Sequence, residues 1–131
     1  MRRPLCAVLL AASLAVLLVS CQEDEDTYEY FEYSYIDTVL AADTIANGQS
    51  VDIVFYYPAG CNRFERFETE ERGDTLDVSV LFLFYFYGMP CAHGDGYETK
   101  SYPLHFSAEG PWRLHYRRGA AEWADREIFV R

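Results

Sequence analysis

Positive charge is scarce in this sequence. Its 131 residues carry 11 lysines and arginines against 21 aspartates and glutamates, a formal net charge of −10. Nucleic acids and anionic lipid surfaces are bound through basic patches, so no nucleic-acid partner is expected. The motifs of nucleophilic catalysis are missing too. There is no G-x-S-x-G, and no C-x-x-C pair of the kind that begins a zinc or redox site. No internal repeat is visible. Nor is there an apolar run of transmembrane length. The longest covers residues 5–19, fifteen positions that are apolar except for Ser13. As a helix it would span about 22 Å, short of the roughly 30 Å hydrocarbon core.

The N-terminus is nevertheless informative. Met1-Arg2-Arg3 is a short positive start, and with the apolar run and the small residues behind it forms a secretory signal pattern. Arg2-Arg3 lacks the rest of a twin-arginine motif. Leu18-Val19-Ser20-Cys21 resembles the lipobox of bacterial lipoproteins. The resemblance implies a signal peptide over residues 1–20 and a lipidated Cys21 at the head of the mature chain. Palmitate and other acyl chains there would make the membrane the first partner, since each buried methylene adds about 0.8 kcal/mol.

Gln22-Glu23-Asp24-Glu25-Asp26 follows at once. Its carboxylates repel one another, extend the chain and hold the domain off the membrane. The same run resembles the acidic tether of Bacteroidetes-type surface lipoproteins, which implies display on the outer face of the outer membrane. A periplasm-facing location is the alternative. The tether is read as residues 21–33. In its second half acids alternate with aromatics, so that part is able to add to a sheet edge.

Without residues 1–20 the chain has 111 residues, one ordinary domain. Arg2 and Arg3 are lost, leaving 9 basic against 21 acidic residues and a net charge of 9 − 21 = −12. All 22 aromatic residues (Tyr 11, Phe 9, Trp 2) lie in this mature part. That richness suits a β-sandwich core and a contact surface. With Cys21 taken by lipid, Cys61 and Cys91 remain, and two cysteines in an exported chain imply one disulfide. It would close a loop of about 31 residues. The alternatives are two buried thiols or half of a metal site.

Strand signals alternate with turn signals along residues 34–131. Residues 34–42 form a first strand, Asn47-Gly48 a turn, and residues 50–57 a strand with Val51, Ile53, Phe55 and Tyr57 on one face. Residues 61–72 (CNRFERFETEER) are ambiguous. Phe64 and Phe67, three apart, suit a helix, whereas Arg72-Gly73-Asp74 looks like a hairpin turn and favours a charged strand. Residues 75–87 form the strongest strand. Leu76, Val78, Val80, Phe82, Phe84 and Phe86 share one face, and the other turns apolar from Leu81, so the strand must be central or present a patch. After the loop of residues 88–96 come strands at 97–107, 112–117 and 127–131. Gly110-Pro111-Trp112-Arg113-Leu114-His115-Tyr116 resembles a strand common late in immunoglobulin-like bacterial modules. The expected fold is thus all-β, an immunoglobulin-like antiparallel sandwich of about seven strands.

Several constellations bear on chemistry. His93, in A-H-G-D-G beside Asp95 and near Glu98, would suit Ca²⁺ or Zn²⁺, but a Gly-rich polar turn explains the same letters. His105 and His115 flank residue 110 and would face each other if their strands made a hairpin. No cofactor, metal or enzymatic activity is expected. The mixed-charge run from Glu65 to Arg72 reads as a solvated strand face. Tyr56, Tyr57, Tyr85, Tyr87, Tyr97 and Tyr102 are candidates for a platform on which sugars stack. The loop order also resembles that of chagasin-like cysteine protease inhibitors: a turn at Tyr57-Pro58-Ala59-Gly60, a Gly-rich loop over residues 88–96, and a loop at Arg117-Arg118-Gly119. The first loop departs from the Asn-Pro-Thr-Thr-Gly of that family, and the third from its Arg-Pro-Trp. The function expected is a non-catalytic binding module for a protein or glycan partner, with protease inhibition or an accessory role in an envelope complex as alternatives. Binding is expected in the two disulfide-linked loops, at Pro58, Asn62, His93, Asp95 and Tyr97.

Overall fold

A computed structural model describes residues 27–86, 91 and 94–131. The expected signal peptide, Cys21, the first part of the tether and His93 lie outside these residues. Nine strands form among the described residues: β1 Tyr28–Ser34, β2 Ile36–Leu40, β3 Thr44–Ile45, β4 Ser50–Tyr57, β5 Asn62–Arg72, β6 Thr75–Phe86, β7 Gly96–Pro103, β8 Gly110–Arg117 and β9 Trp123–Val130. They make two packed sheets, a β-sandwich. The larger holds β1, β3, β5, β6, β8 and β9, and the smaller runs β2–β4–β7.

β6 is the centre of the larger sheet, as its apolar character on both faces requires. β5 follows one edge antiparallel, from Arg72 opposite Thr75 to Asn62 opposite Phe84. The other edge is shared. β8 pairs with Thr75 to Val78 in parallel, and β1 pairs antiparallel from Val80 to Phe86. Leu76, Val78, Val80 and Phe82 are buried in the core. On the opposite face Leu81 and Leu83 are buried as well. Their register neighbours are Arg66 and Tyr33, then Arg63 and Phe31, whose long side chains flank them.

Residues 62–72 are strand, and the three-residue spacing of Phe64 and Phe67 has a physical explanation. A bulge between Phe64 and Arg66 inserts one residue, so both phenylalanines face inward without a helix. They meet Phe55 at 5.4 and 5.5 Å between ring centroids, and Phe55 is fully buried at the heart of the core.

The tether expected through residue 33 is strand from Tyr28 onward. Tyr30 stacks on Phe84 at 5.2 Å and Tyr28 on Phe86 at 5.5 Å, cross-strand pairs that hold β1 to β6. The single strand expected over residues 34–42 is divided. Ser34 Oγ donates to Tyr56 O at 2.7 Å and Tyr56 N to Tyr35 O at 2.8 Å, so the chain crosses here from one sheet to the other. β3 then returns to the larger sheet beside β9. β1 and β3, which are additional to the expected strands, raise the strand number from about seven to nine.

The hairpin that would set His105 opposite His115 does not form. β7 belongs to the smaller sheet and β8 to the larger, so the connection crosses the sandwich. His105 lies instead beside Gly48, and His115 faces Asp125 on β9. The alternation of β8 is as expected: Trp112, Leu114 and Tyr116 are buried. Asn47 ties its turn to the crossing segment, with Nδ2 donating to Phe106 O at 2.8 Å and Phe106 N donating to Oδ1 at 2.9 Å.

Candidate functional site

Cys61 and Cys91 are joined by a disulfide with their Cα atoms 5.0 Å apart, which links the loop after β4 to the loop after β6. Asn62, expected at a binding surface, is instead 1% exposed. Its Nδ2 donates to Pro58 O at 3.0 Å and Ala59 O at 3.3 Å, closing the turn from within. Its Oδ1 is buried and accepts no hydrogen bond among the described residues. Pro58 is half-buried in the same turn. These two residues build the loop rather than face outward from it.

Asp95 and Tyr97 do come together. Tyr56 Oη donates to Asp95 Oδ2 at 2.9 Å, and the Tyr97 ring meets Tyr56 edge-on at 5.8 Å. The Asp95 carboxylate accepts that proton and would repel a phenolate, so the Tyr56 hydroxyl is raised above its ordinary pKa. Tyr56 and Tyr97 line a depression of about 260 Å³ with Tyr35, Asp37 and Arg118. Arg118 lies 3.5 Å from Asp37 and 3.5 Å from Glu122. The loops after β4, β6 and β8 therefore leave the sandwich at one end: Tyr57 pairs with Gly96, the disulfide joins the first two loops, and Arg118 of the third reaches the depression.

β1 exposes aromatic rings on both of its faces, Tyr28 and Tyr30 on one and Phe31 and Tyr33 on the other. Tyr28, Tyr30, Phe31 and Tyr33 are each about half exposed, and Phe86 is 42% exposed beside them. β1 closes the end of its sheet, with no strand on its far edge among the described residues. Tyr33 Oη donates to Glu68 Oε2 at 2.6 Å, and the Arg66 guanidinium forks onto Glu68 Oε1 at 2.7 and 2.9 Å. The Tyr33 bond first, and then Arg66, hold the Glu68 carboxyl below its ordinary range, and the same bond raises Tyr33.

A third feature lies on the outer face of the larger sheet. One cross-strand row there is Glu70, Asp77, His115 and Asp125. In the next row Glu68 faces Ser79 and Arg117 faces Trp123, but Ser79 falls between the last residue of β6 paired to β8 and the first paired to β1. The ladder is interrupted, and a groove of about 450 Å³ opens at that point. Its side chains are held. Arg72 forks onto Asp77, which lowers the Asp77 carboxyl, and His115 Nδ1 is 2.6 Å from Asp125. Arg117 donates to Gly119 O and Ala120 O at 2.9 and 3.0 Å. The Trp123 ring stacks on His115 at 4.7 Å and 6°.

No sequence motif marks this groove. Tyr33 stands within the expected tether, and Trp123 between the strands expected at 112–117 and 127–131. The usable signal was Trp123, Asp125 and Glu127 at alternate positions. It was obscured because Arg126 occupies an inward position, where its guanidinium donates to Val39 O and Ala41 O. Among the described residues no three metal-ligating side chains converge. No family model, curated protein or solved structure matches the chain.

Proposed function

We propose that the chain is a lipid-anchored, non-catalytic binding module displayed at the outer-membrane surface, and that it contacts a protein partner with the aromatic surface of β1. The observation that carries this is the concentration of half-exposed rings on the strand that leads from the tether. Exposed aromatic rings mark contact sites, and a partner that wraps this edge strand would meet Tyr28 and Tyr30 on one face and Phe31 and Tyr33 on the other. From Cys21 to Tyr28 is 28 − 21 = 7 residues, which reach at most about 25 Å when extended. A lipid on Cys21 therefore keeps the patch close to the membrane, facing other envelope components. The disulfide fits a compartment outside the reducing cytoplasm. In affinity purification from native envelopes, the tagged full-length protein should retain a partner that the variant Tyr28→Ser/Phe31→Ser loses at unchanged folding. Identical recovery by both forms would remove β1 as the contact. Protease added to intact cells should strip the domain, and full protection would turn the location to the periplasmic face.

A second reading is cysteine protease inhibition of the chagasin type. The shared end of the loops after β4, β6 and β8 supports it, and the departures of the first and third loops from that family's motifs weigh against it. Full activity of papain-type proteases in excess of the purified protein would dismiss it.

A further inference from the structure

We propose that the groove at Ser79 is a binding site for a neutral saccharide. This goes beyond the protein contact assigned to β1, with which the groove shares Tyr33 and Ser34. The groove measures about 450 Å³, within the range of roughly 300–1,000 Å³ usual for small-molecule sites. Ser79, Tyr33 and Trp123 line it with the polar groups of Asp77, His115 and Arg117, and the buried Ser34, Ile36 and Val78 line it as well.

Three properties select the ligand. The first is charge. The charged lining consists of Glu70, Asp77, Arg72 and Arg117, two of each sign, so neither an anion nor a cation is favoured overall. The second is the open indole. Trp123 is 58% exposed on a sheet face, and His115 holds its ring in place. A flat, fixed aromatic ring suits the C–H face of a pyranose, which stacks on it without losing hydroxyl hydration. The third is preorganisation. Asp77 is held by Arg72, Arg117 by two carbonyls and His115 by Asp125, so planar donors and acceptors stand fixed before a ligand arrives. Adjacent sugar hydroxyls match such forked groups, and fixing them in advance lowers the entropy lost on binding.

The test uses the full-length protein in a sugar-free zwitterionic detergent. Maltose, cellobiose and diacetylchitobiose are titrated to millimolar concentration, with glucuronate and choline as charged comparisons. Trp123 emission and ligand-observed saturation-transfer NMR report binding. Trp112 is buried and bonded to Ala108 O at 3.0 Å, and serves as an internal constant. At least one neutral disaccharide should bind saturably. Ser79→Tyr, which fills the groove from an outward-facing position, and Trp123→Ala should each weaken it by about tenfold or more, read by NMR. Unchanged thermal midpoints in both variants separate loss of binding from loss of fold. Binding that neither substitution weakens would overturn the proposal. So would a response confined to glucuronate or choline, or no saturable response to any of the three disaccharides.

Discussion

Asn62 is a polar side chain with a purely internal task. Its buried amide donates to the carbonyls of Pro58 and Ala59 and so fixes the turn after β4. Asn62→Ala should therefore lower unfolding free energy by about 1–3 kcal/mol, measured by urea denaturation with the disulfide intact. Titrating residues make a prediction of opposite sign at each end of the pH scale. Asp77 and Glu68 are depressed, Asp77 chiefly by Arg72 and Glu68 chiefly by Tyr33. Their contribution is present above the ordinary carboxylate pKa and is lost as pH falls through the lowered folded values. Tyr33 and Tyr56 are raised, by Glu68 and Asp95 respectively. Their contribution is complete below the ordinary value of 10.0 and is lost as pH rises through the higher folded values. Urea midpoints should thus be highest near neutrality and fall on both sides. Tyr33→Phe should flatten the alkaline arm, because it removes one of the two phenols whose raised values shape it. An alkaline arm as steep as in the parent protein would remove Tyr33 from that account.

Elements were legible where their periodicity was unbroken. β4 and β8 show strict alternation and lie where the sequence puts them, with Val51, Ile53 and Phe55, and Trp112, Leu114 and Tyr116, all buried. β5 was the ambiguous case, since its bulge converts a period of two into a spacing of three between Phe64 and Phe67. β9 was legible only in its second half because Arg126 occupies an inward position. The disulfide spans a sequence separation of 30 and ties two of these elements' loops. Cys61→Ser/Cys91→Ser should cost about 3–4 kcal/mol in the chain-entropy account, read as a lowered denaturation midpoint. A loss under about 1 kcal/mol would mean that the reduced chain keeps those loops together in the unfolded state. β1 and β6 depend on each other: β1 supplies Tyr33 and Phe31 beside Leu81 and Leu83. The Tyr30 ring on Phe84 should be worth about 0.5–1.5 kcal/mol beyond its area, which a Tyr30→Ala/Phe84→Ala double-mutant cycle would measure.

For the whole molecule, the decisive prediction concerns attachment. Cys21→Ser should move the protein from the membrane fraction to the soluble fraction and abolish incorporation of labelled palmitate. A variant that stays in the membrane would show that something other than a lipid on Cys21 holds it. The sequence by itself determined the all-β character and the faces of the main strands, and it supplied the expectation that Cys61 pairs with Cys91. These depend on side-chain period and on cysteine number, which are local or countable. Only the tertiary structure decided which sheet each strand joins, and therefore which side chains become neighbours. A period of two specifies the face on which a residue stands and not the strand beside it. His105 and His115 were parted for that reason: His105 lies past the end of β7, in the segment that crosses from the smaller sheet, and His115 on β8 of the larger one. The groove at Ser79 arose for the same reason: β6 exchanges one partner strand for another there, and Tyr33 and Trp123, ninety positions apart in the chain, come to line one site.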